Sequence, residues 1–402
     1  ERPRIALAGE RAAAGFVARV LALAALTAMG WLVVDPQRAF AATVAVLVVS
    51  CPCAFALAAP AAVTRALAVL AGRGVLVVRP DALEALAGAT RVLFDKTGTL
   101  TEPWLAQDRV ETFGGVGRDE ALALAAALAR TSTHPVASAI AAAAPEPGLT
   151  VDEAVVEAGA GVAGRIGARR LRLGHAAFAG RDLPERHAPA FDDDAVLLAD
   201  QHGVVAVLPM GERIRPGARE AVARLREAGL EIALASGDAP AKVRAVADTL
   251  GIASWRARLD PAGKLAWLRS LREGGARVIA VGDGINDAPA LAGADVAVAM
   301  ASGAAIAQAA SDVVLARDDP GAVADARALA RRMLATLRVN QRWALGYNLA
   351  AVPLAAVGFV PPWLAALGMS ASSLVVVLNA LRIGREHPAQ GRAATTPVEA
   401  AA

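Results

Sequence analysis

Long runs without a charged residue lie near both ends of this chain. There are 26 such residues between Arg38 and Arg65, and 39 between Arg342 and Arg382. A membrane-spanning helix needs about 20 consecutive apolar residues. The first run therefore predicts one membrane helix. The second predicts two helices, because Gly358 and the two prolines after it interrupt the run.

A further membrane helix is predicted from Val20 to Val34. Arginines are concentrated on one side of the predicted helices, while the loops on the other side carry almost no charge: Arg65, Arg73, Arg79, Arg331, Arg332, Arg338, Arg342, Arg382 and Arg385. Positively charged flanks stay in the cytoplasm, so both ends of the chain and its long middle segment are predicted to lie there. The alternative is a soluble core of buried helices, which charge-free runs of this length disfavour.

The middle segment, roughly 75 to 330, shows a different pattern of short apolar runs that end in polar turns. Three of these runs are Arg91–Phe94, Ile232–Ala235 and Val278–Val281. Such runs are typical of buried strands in an α/β sheet. An open α/β sheet carries its chemistry at the carboxyl ends of its strands, so the residues after these runs are candidate site residues.

Composition narrows the class of protein. The chain has 402 residues, 56% of them hydrophobic, which is too apolar for an ordinary soluble protein. Its net charge of +3 does not predict nucleic-acid binding, because the arginines are dispersed and aromatic residues are few. Only two cysteines occur, so no disulfide framework is expected. The chain begins with Glu1 and shows no signal peptide, so we expect it to be part of a longer protein.

The motif from Asp95 to Thr101 (DKTGTLT) contains the candidate nucleophile. A carboxylate at a strand end, with a lysine and several hydroxyl and N–H groups beside it, has the groups needed for in-line attack on phosphorus. Helix capping is the alternative role for such Asp and Thr residues. Asp283 and Asp287 favour the first role, because they lie four residues apart around a tight turn and suit Mg²⁺.

Two further motifs add donors and a cation. The segment Ser236-Gly237-Asp238 offers a hydroxyl and an N–H group to a phosphoryl oxygen, and Lys264 offers a second ammonium. The chain has only three lysines, and two of them, Lys96 and Lys264, lie in these motifs. These motifs are therefore expected to require the compact ammonium of lysine, whereas arginine supplies most of the positive charge in the rest of the chain.

These motifs occur in the order and spacing of the P-type ATPases, and the chain resembles the carboxyl-terminal part of that family over nearly all of residues 1 to 386. The resemblance implies that ATP phosphorylates Asp95. It assigns catalytic roles to Asp95, Lys96, Thr97, Ser236, Gly237, Asp238 and Lys264. It assigns the Mg²⁺ site to Asp95, Thr97, Asp283 and Asp287.

The resemblance also implies the fold: a multi-domain membrane protein with α-helical transmembrane segments and an α/β haloacid dehalogenase-like phosphorylation domain that carries an inserted α+β nucleotide-binding domain. The predicted transmembrane parts, each with two helices, are 1–74 and 331–386. The phosphorylation domain is predicted at 75–108 and 211–330, the nucleotide-binding domain at 109–210, and a disordered tail at 387–402.

The nucleotide site is predicted from the resemblance to the heavy-metal branch of the family. The matching residues are His134, Pro135, Gly159, Gly161 and Gly174. Alone, a Gly-x-Gly pattern or a His before Pro is weak evidence. Two positions depart from the family: Ala129 stands where a Glu is expected, and His175 stands where Asn is common.

The motif Cys51-Pro52-Cys53 lies within a predicted membrane helix. Pro52 removes a backbone hydrogen bond and kinks the helix, which directs both thiols toward one cavity. Two thiolates in an apolar span are unfavourable without a cation, so a soft metal is the expected partner. Two small core residues in a kinked helix are the alternative.

The last two predicted helices offer further candidate ligands, with Met369, Ser372 and Ser373 on one face of the fourth. Core packing by the methionine and bridging of helices by the serines are the alternative roles. The whole set resembles the Cu(I)-transporting branch, and the implied ligands are Cys51, Cys53, Tyr347, Asn348, Met369 and Ser373. Zinc or cadmium is the weaker alternative, because neither of these helices contains a carboxylate. The stretch after Tyr347 also resembles the subgroup that serves cytochrome oxidase assembly.

The family's actuator domain, with its Thr-Gly-Glu motif, is missing from this chain. We therefore expect that the chain alone does not complete a transport cycle. The resemblance implies location in a bacterial inner membrane with the catalytic domains in the cytoplasm, contact with membrane lipid, and a copper chaperone as donor or acceptor. Two rival hypotheses are a membrane-tethered phosphatase of the same fold and a truncated, non-catalytic chain that binds copper.

Overall fold

The computed structural model describes residues 4–144, 148–157, 159–181, 195–283, 287–303 and 305–385. The predicted tail 387–402 and residues 284–286, between Asp283 and Asp287, lie outside the described residues. The helices are α1 Arg4–Val34, α2 Pro36–Val49, α3 Cys53–Gly72, α4 Ala82–Gly88, α5 Arg118–Ala129, α6 Pro135–Ala142, α7 Ala176–Ala179, α8 Ala218–Glu227, α9 Pro240–Leu250, α10 Pro261–Glu273, α11 Ala288–Gly293, α12 Ala305–Ala309, α13 Gly321–Ala356 and α14 Pro362–Ala380.

The strands form two sheets. They are β1 Val75–Val77, β2 Arg91–Asp95, β3 Thr101–Leu105, β4 Glu111–Thr112, β5 Asp152–Glu157, β6 Gly161–Ile166, β7 Arg169–Gly174, β8 Ala195–Asp200, β9 Val204–Ile214, β10 Glu231–Ala235, β11 Ser254–Arg256, β12 Val278–Gly282, β13 Val296–Ala299 and β14 Val313–Leu315.

Two described segments are long and apolar enough to cross a membrane. They are Pro36–Gly72, which comprises α2, α3 and the break between them, and the helix α14. In α1 the apolar part is shorter, Ala18–Val34. The run after Arg342 forms the last part of α13, a helix that begins well before it at Gly321. The predicted interruption is present, because α13 ends at Ala356 and α14 begins at Pro362.

The first sheet has the strand order β1-β14-β13-β12-β2-β10-β11 and is parallel except for β1. The inner strand β2 is flanked by β10 and β12, so that Leu93 lies opposite both Ala233 and Ala280. Helices cover both faces, and the apolar residues of β2 are buried, as expected for a parallel strand. The carboxyl ends of β2, β10 and β12 therefore lie side by side.

The second sheet is antiparallel, with the order β3-β9-β8-β7-β6-β5 and with β4 paired to β9. Strand β3 leaves the first sheet through the turn after Asp95, and β9 returns to it; Thr101 pairs with Ile214 and Leu105 with Met210. The helices α5 and α6 share a hydrophobic core with this sheet, including Leu128 and Leu198. The segment between β3 and β9 is thus an insertion joined to the first sheet by a two-stranded ribbon.

Candidate functional site

Asp95 ends β2, an inner strand of the first sheet, and is buried. The Nζ atom of Lys264 lies 2.5 Å from Asp95 Oδ1 and 2.6 Å from Asp287 Oδ1. Lys264 is in the first turn of α10, where the side chain of Asp260 accepts a 2.6 Å hydrogen bond from the N–H of Gly263. This cap fixes the turn that presents the lysine. The cation predicted from Pro261–Lys264 therefore contacts the predicted nucleophile.

Three carboxylates meet at this point. One oxygen atom from each of Asp95, Asp283 and Asp287 lies within 4.8 Å of the others. Lys264 is the ammonium that contacts two of them, so negative charge exceeds the positive charge supplied by this lysine. A cluster of hard oxygen donors with unbalanced charge suits Mg²⁺. Thr97 is exposed in the turn that follows Asp95.

Burial and the nearby Asp287 carboxylate raise the pKa of Asp95 to about 8, while Lys264 acts in the opposite direction. Burial and Asp287 also raise the pKa of Asp283, to about 6. Both pKa values rise because negative charges are concentrated where water solvates them poorly. A bound cation would favour the ionised carboxylates and lower both pKa values.

The turn after Asp95 packs directly on Asp283. Gly98 has a left-handed backbone (φ 72°), and a Cβ atom there would overlap the Asp283 carboxylate. Arg215 holds the same turn: its Nη2 donates to the carbonyl of Gly98 at 2.7 Å and its Nε to that of Thr99 at 3.1 Å. Arg215 was not among the predicted site residues. The signal available was an arginine directly after β9, the strand that returns to this turn.

Lys96 differs from its predicted position. Its side chain is fully buried and ion-paired with Glu212 and Asp238 rather than with Asp95. The backbone at Asp95 is extended, and successive side chains of an extended chain point in opposite directions. The cation beside Asp95 is therefore Lys264.

Ser236 and Gly237 follow β10, the strand next to β2. Ser236 is buried, and its Oγ accepts a 3.1 Å hydrogen bond from the N–H of Asp238. Gly237 is exposed. Because Ala235 lies opposite Asp95 in the register, the predicted phosphate donors lie at the strand end adjacent to the predicted nucleophile.

The insertion contains a cavity of about 240 Å³. Four of the five predicted nucleotide residues line it, namely His134, Gly159, Gly161 and Gly174. Within the described chain, Pro135 is not part of this lining; it is the first residue of α6. His134 caps the same helix, and its Nδ1 accepts the N–H of Val136 at 3.3 Å. The walls are mainly apolar, as in most small-molecule sites.

The three glycines of this cavity have different surroundings. Gly159 has φ 74° and open space where a side chain would be. A Cβ atom on Gly161 or Gly174 would come within 2.6 Å or 2.8 Å of the Phe178 ring, so these two glycines permit close packing. Of the two departures from the family, Ala129 is fully buried in the core of the insertion, whereas His175 lines the cavity.

A second cavity lies between α3, α13 and α14. Its lining includes Cys51, Tyr347, Asn348, Met369 and Ser372. The Sγ atom of Cys53 lies 4.0 Å from the Sδ atom of Met369. The structure therefore brings most of the predicted copper ligands together from three helices. Gly368 leaves room for the Tyr347 side chain, because a Cβ atom on Gly368 would lie 2.6 Å from the tyrosine hydroxyl oxygen.

Two features of this cavity differ from the prediction. Among the described lining residues the serine is Ser372, whose Oγ accepts a 3.2 Å hydrogen bond from the indole N–H of Trp343, and not Ser373. Cys51 and Cys53 are joined in a disulfide rather than present as free thiols. The break between α2 and α3 brings their Cα atoms to 5.4 Å, within the range for a disulfide. Copper binding at both sulfurs thus requires the reduced chain.

Comparison with known proteins gives a consistent result. The profile of the haloacid dehalogenase-like hydrolases matches residues 89–295. The chain is 41% identical over 384 residues to the cation-transporting P-type ATPase B of Mycobacterium tuberculosis, a match that covers 92% of this chain and 51% of that protein. It is 39% identical over 383 residues to the copper-exporting P-type ATPase of the same organism, a match that covers 93% of this chain and 50% of that protein.

A solved structure shows the same fold. The structure of a zinc-transporting PIB-type ATPase in its E2.Pi state matches with a TM-score of 0.62 and 30% identity, over 92% of this chain and 62% of that one. The chain belongs to the haloacid dehalogenase-like hydrolases. Within that class, its similarity over more than nine-tenths of its length is to P-type ATPases named for the transport of cations, copper or zinc. It spans about half the length of the curated relatives that it matches.

Proposed function

We propose that this chain is the catalytic and metal-binding part of an ATP-driven Cu(I) exporter that is phosphorylated at Asp95. The observation that carries the proposal is the meeting of Asp95, Lys264, Asp283 and Asp287 at the carboxyl edge of one sheet. We assign nucleotide binding to the insertion, predicted at 109–210, and phosphorylation to the first sheet.

In the proposed reaction, a carboxylate oxygen of Asp95 attacks the γ-phosphorus of ATP in line with the bond to the bridging oxygen. That bond breaks, and ADP leaves with its electron pair. Lys264 compensates charge on the transferred group, and Ser236 and Gly237 donate hydrogen bonds to its oxygens. Asp283 and Asp287 would hold Mg²⁺, which supplies further positive charge to the phosphate oxygens.

The proposed cargo is Cu(I). In the reduced chain, the thiolates of Cys51 and Cys53 and the thioether of Met369 form a soft donor set in the cavity between the helices. The copper-exporting relative supports this choice of metal, although the solved neighbour is named for zinc. We place the helices in a bacterial inner membrane with the catalytic parts in the cytoplasm, and a copper chaperone as the partner.

The test is labelling with γ-labelled ATP and Mg²⁺, using the reduced chain in detergent with Cu(I), with Zn²⁺ or with a chelator. A hydroxylamine-labile phosphoenzyme that increases with Cu(I) is expected. Asp95→Asn removes the label completely, because the amide cannot form the acyl phosphate. Met369→Leu reduces Cu(I) stimulation about tenfold, whereas Met333→Leu, the same change in the core of the first sheet, leaves it unchanged.

Other results would identify the alternatives. Stimulation by Zn²⁺ but not Cu(I) would replace copper by zinc as the cargo. Hydrolysis of small phosphate esters that is indifferent to Cys51→Ala would indicate a tethered phosphatase. A folded chain that binds Cu(I) and forms no phosphoenzyme would indicate a non-catalytic copper-binding protein. Ser372→Ala and Ser373→Ala, compared side by side, identify which serine serves the metal.

A further inference from the structure

The cavity of the insertion has few polar side chains, and one of them is an anion. Glu157 lines the cavity at the end of β5. Both carboxylate oxygens accept charge-assisted hydrogen bonds from Arg181, at 2.7 Å and 2.8 Å. The bidentate contact fixes the orientation of the carboxylate and lowers its pKa, so the group remains ionised. An ionised carboxylate only accepts hydrogen bonds, and its two oxygens retain lone pairs beyond those that Arg181 uses.

The arginine is itself held in place. Its guanidinium lies 5.2 Å from the centroid of the buried Phe178 ring. That ring packs against Gly161 and Gly174, where no side chain could be accommodated. A series of contacts therefore leads from the two glycines through the Phe178 ring and Arg181 to Glu157. Its carboxylate is the hydrogen-bond acceptor at the cavity.

A donor lies in the same cavity. The Nδ1 atom of His175 accepts the N–H of Phe178 at 3.2 Å. The neutral ring must then carry its proton on Nε2, which makes that N–H the donor available to a ligand. The remaining wall is largely apolar, with Val156, Ile140 and Leu173 among its members.

We propose, on the basis of the function proposed above, that Glu157 determines the base specificity of the nucleotide site by accepting a hydrogen bond from the 6-amino group of adenine. An apolar cavity with a fixed acceptor at Glu157 and a donor at His175 matches the flat ring of a purine with adjacent amino and ring nitrogen groups. Hypoxanthine and guanine carry a carbonyl oxygen at position 6, which would face the carboxylate acceptor to acceptor. Arg181 acts as a positioning residue.

The experiment measures binding of ADP and of inosine diphosphate to the full chain in detergent, by competition with a labelled nucleotide. Diphosphates keep the measurement independent of phosphoryl transfer. The unaltered chain is expected to prefer ADP about tenfold, the value of one charged hydrogen bond at a half-exposed position. Glu157→Gln lowers this preference toward one, because the amide donates to the 6-carbonyl as readily as it accepts from the 6-amino group.

The matched control is Glu153→Gln, an exposed glutamate on the same strand that pairs with Arg165. It leaves the preference for ADP unchanged. Equal binding of both diphosphates by the unaltered chain, or a full preference in Glu157→Gln, would overturn the inference. Preference for ADP without a phosphoenzyme at Asp95 would overturn the proposed function and leave this inference standing. A phosphoenzyme formed equally well from ATP and ITP would overturn this inference and leave the proposed function standing.

Discussion

Gly98 shows how a single residue sets the distance between the turn after Asp95, the proposed nucleophile, and Asp283, a proposed Mg²⁺ ligand. Its left-handed backbone and missing side chain allow the turn to lie against Asp283. The carbonyl of Gly98 is also an acceptor for Arg215. Asp95 ends β2 and Asp283 directly follows β12, and this contact is one of those that keep the two strand ends together.

Gly98→Ala is expected to lower the rate of phosphoenzyme formation about 100-fold, since the added methyl group displaces Asp283 and misplacement of about 1 Å has effects of that size. The measurement is the Mg²⁺ dependence of labelling at Asp95. Gly114→Ala is the control, because Gly114 has a similar φ of 68° but open space around it. Both changes carry the same backbone strain of about 1 kcal/mol. Equal rates in the two variants would show that crowding at Asp283 does not matter.

The direction of individual side chains was harder to predict than their presence at the site. The positions of Asp95 and Lys264 could be predicted, because Asp95 ends a strand and Lys264 lies in the first turn of a capped helix. Lys96 was expected to act on the phosphoryl group because it follows Asp95 in sequence. The extended backbone directs its side chain away from Asp95, toward Glu212 and Asp238. The choice between Ser372 and Ser373 depends on the rotation of α14, which spacing alone does not determine.

At the scale of whole elements, Lys96 joins three segments that are distant in sequence. It follows β2, Glu212 lies in β9, and Asp238 follows β10. The buried ammonium thus connects the strand that ends in Asp95, the strand that returns from the insertion and the adjacent strand of the first sheet. The apolar pattern predicted β2, β10 and β12 and the interruption between the last two helices, because each is a local property of the chain. The strands β3 and β9 are about 100 residues apart in sequence, and the local pattern of apolar residues does not indicate that they pair.

Lys96→Met should destabilise the chain by about 3 kcal/mol, because it leaves two partly buried carboxylates without their common cation. The midpoint of thermal unfolding in detergent measures this loss. Lys242→Met is the matched change on the exposed surface of α9 and should shift stability by no more than about 0.5 kcal/mol. If the two midpoints fall equally, the ion pairs of Lys96 contribute nothing to stability.

At the scale of the molecule, α13 is a continuous helix whose first part packs in the core of the first sheet and whose later part lines the cavity with Cys51 and Met369. Near its start, Arg327 donates to the carbonyls of Ala228 and Ala89, at 3.0 Å and 3.1 Å. Tyr347, which lines the metal cavity, lies 20 residues further along, about 30 Å at the rise of an α-helix. A rigid element of this length can transmit a displacement from one site to the other.

Val339→Pro is expected to uncouple the sites, because proline breaks the helix between them at a cost of about 3 kcal/mol. Val339 is exposed, so the ring itself meets little steric hindrance. Nucleotide binding and Cu(I) binding should each persist, while phosphorylation loses its dependence on Cu(I). Val339→Ala, which keeps the helix intact, should behave as the unaltered chain. Copper-dependent labelling in the proline variant would rule out α13 as the connection.

The two-stranded ribbon of β3 and β9 has an evolutionary consequence. The chain enters and leaves the insertion at paired positions, Leu105 and Met210, so its two ends are neighbours in space. Mutations, duplications or exchanges between these points can remodel the insertion while the geometry around Asp95 is inherited unchanged. The proposed nucleotide specificity of the insertion and the proposed phosphoryl transfer at Asp95 can therefore change independently during evolution.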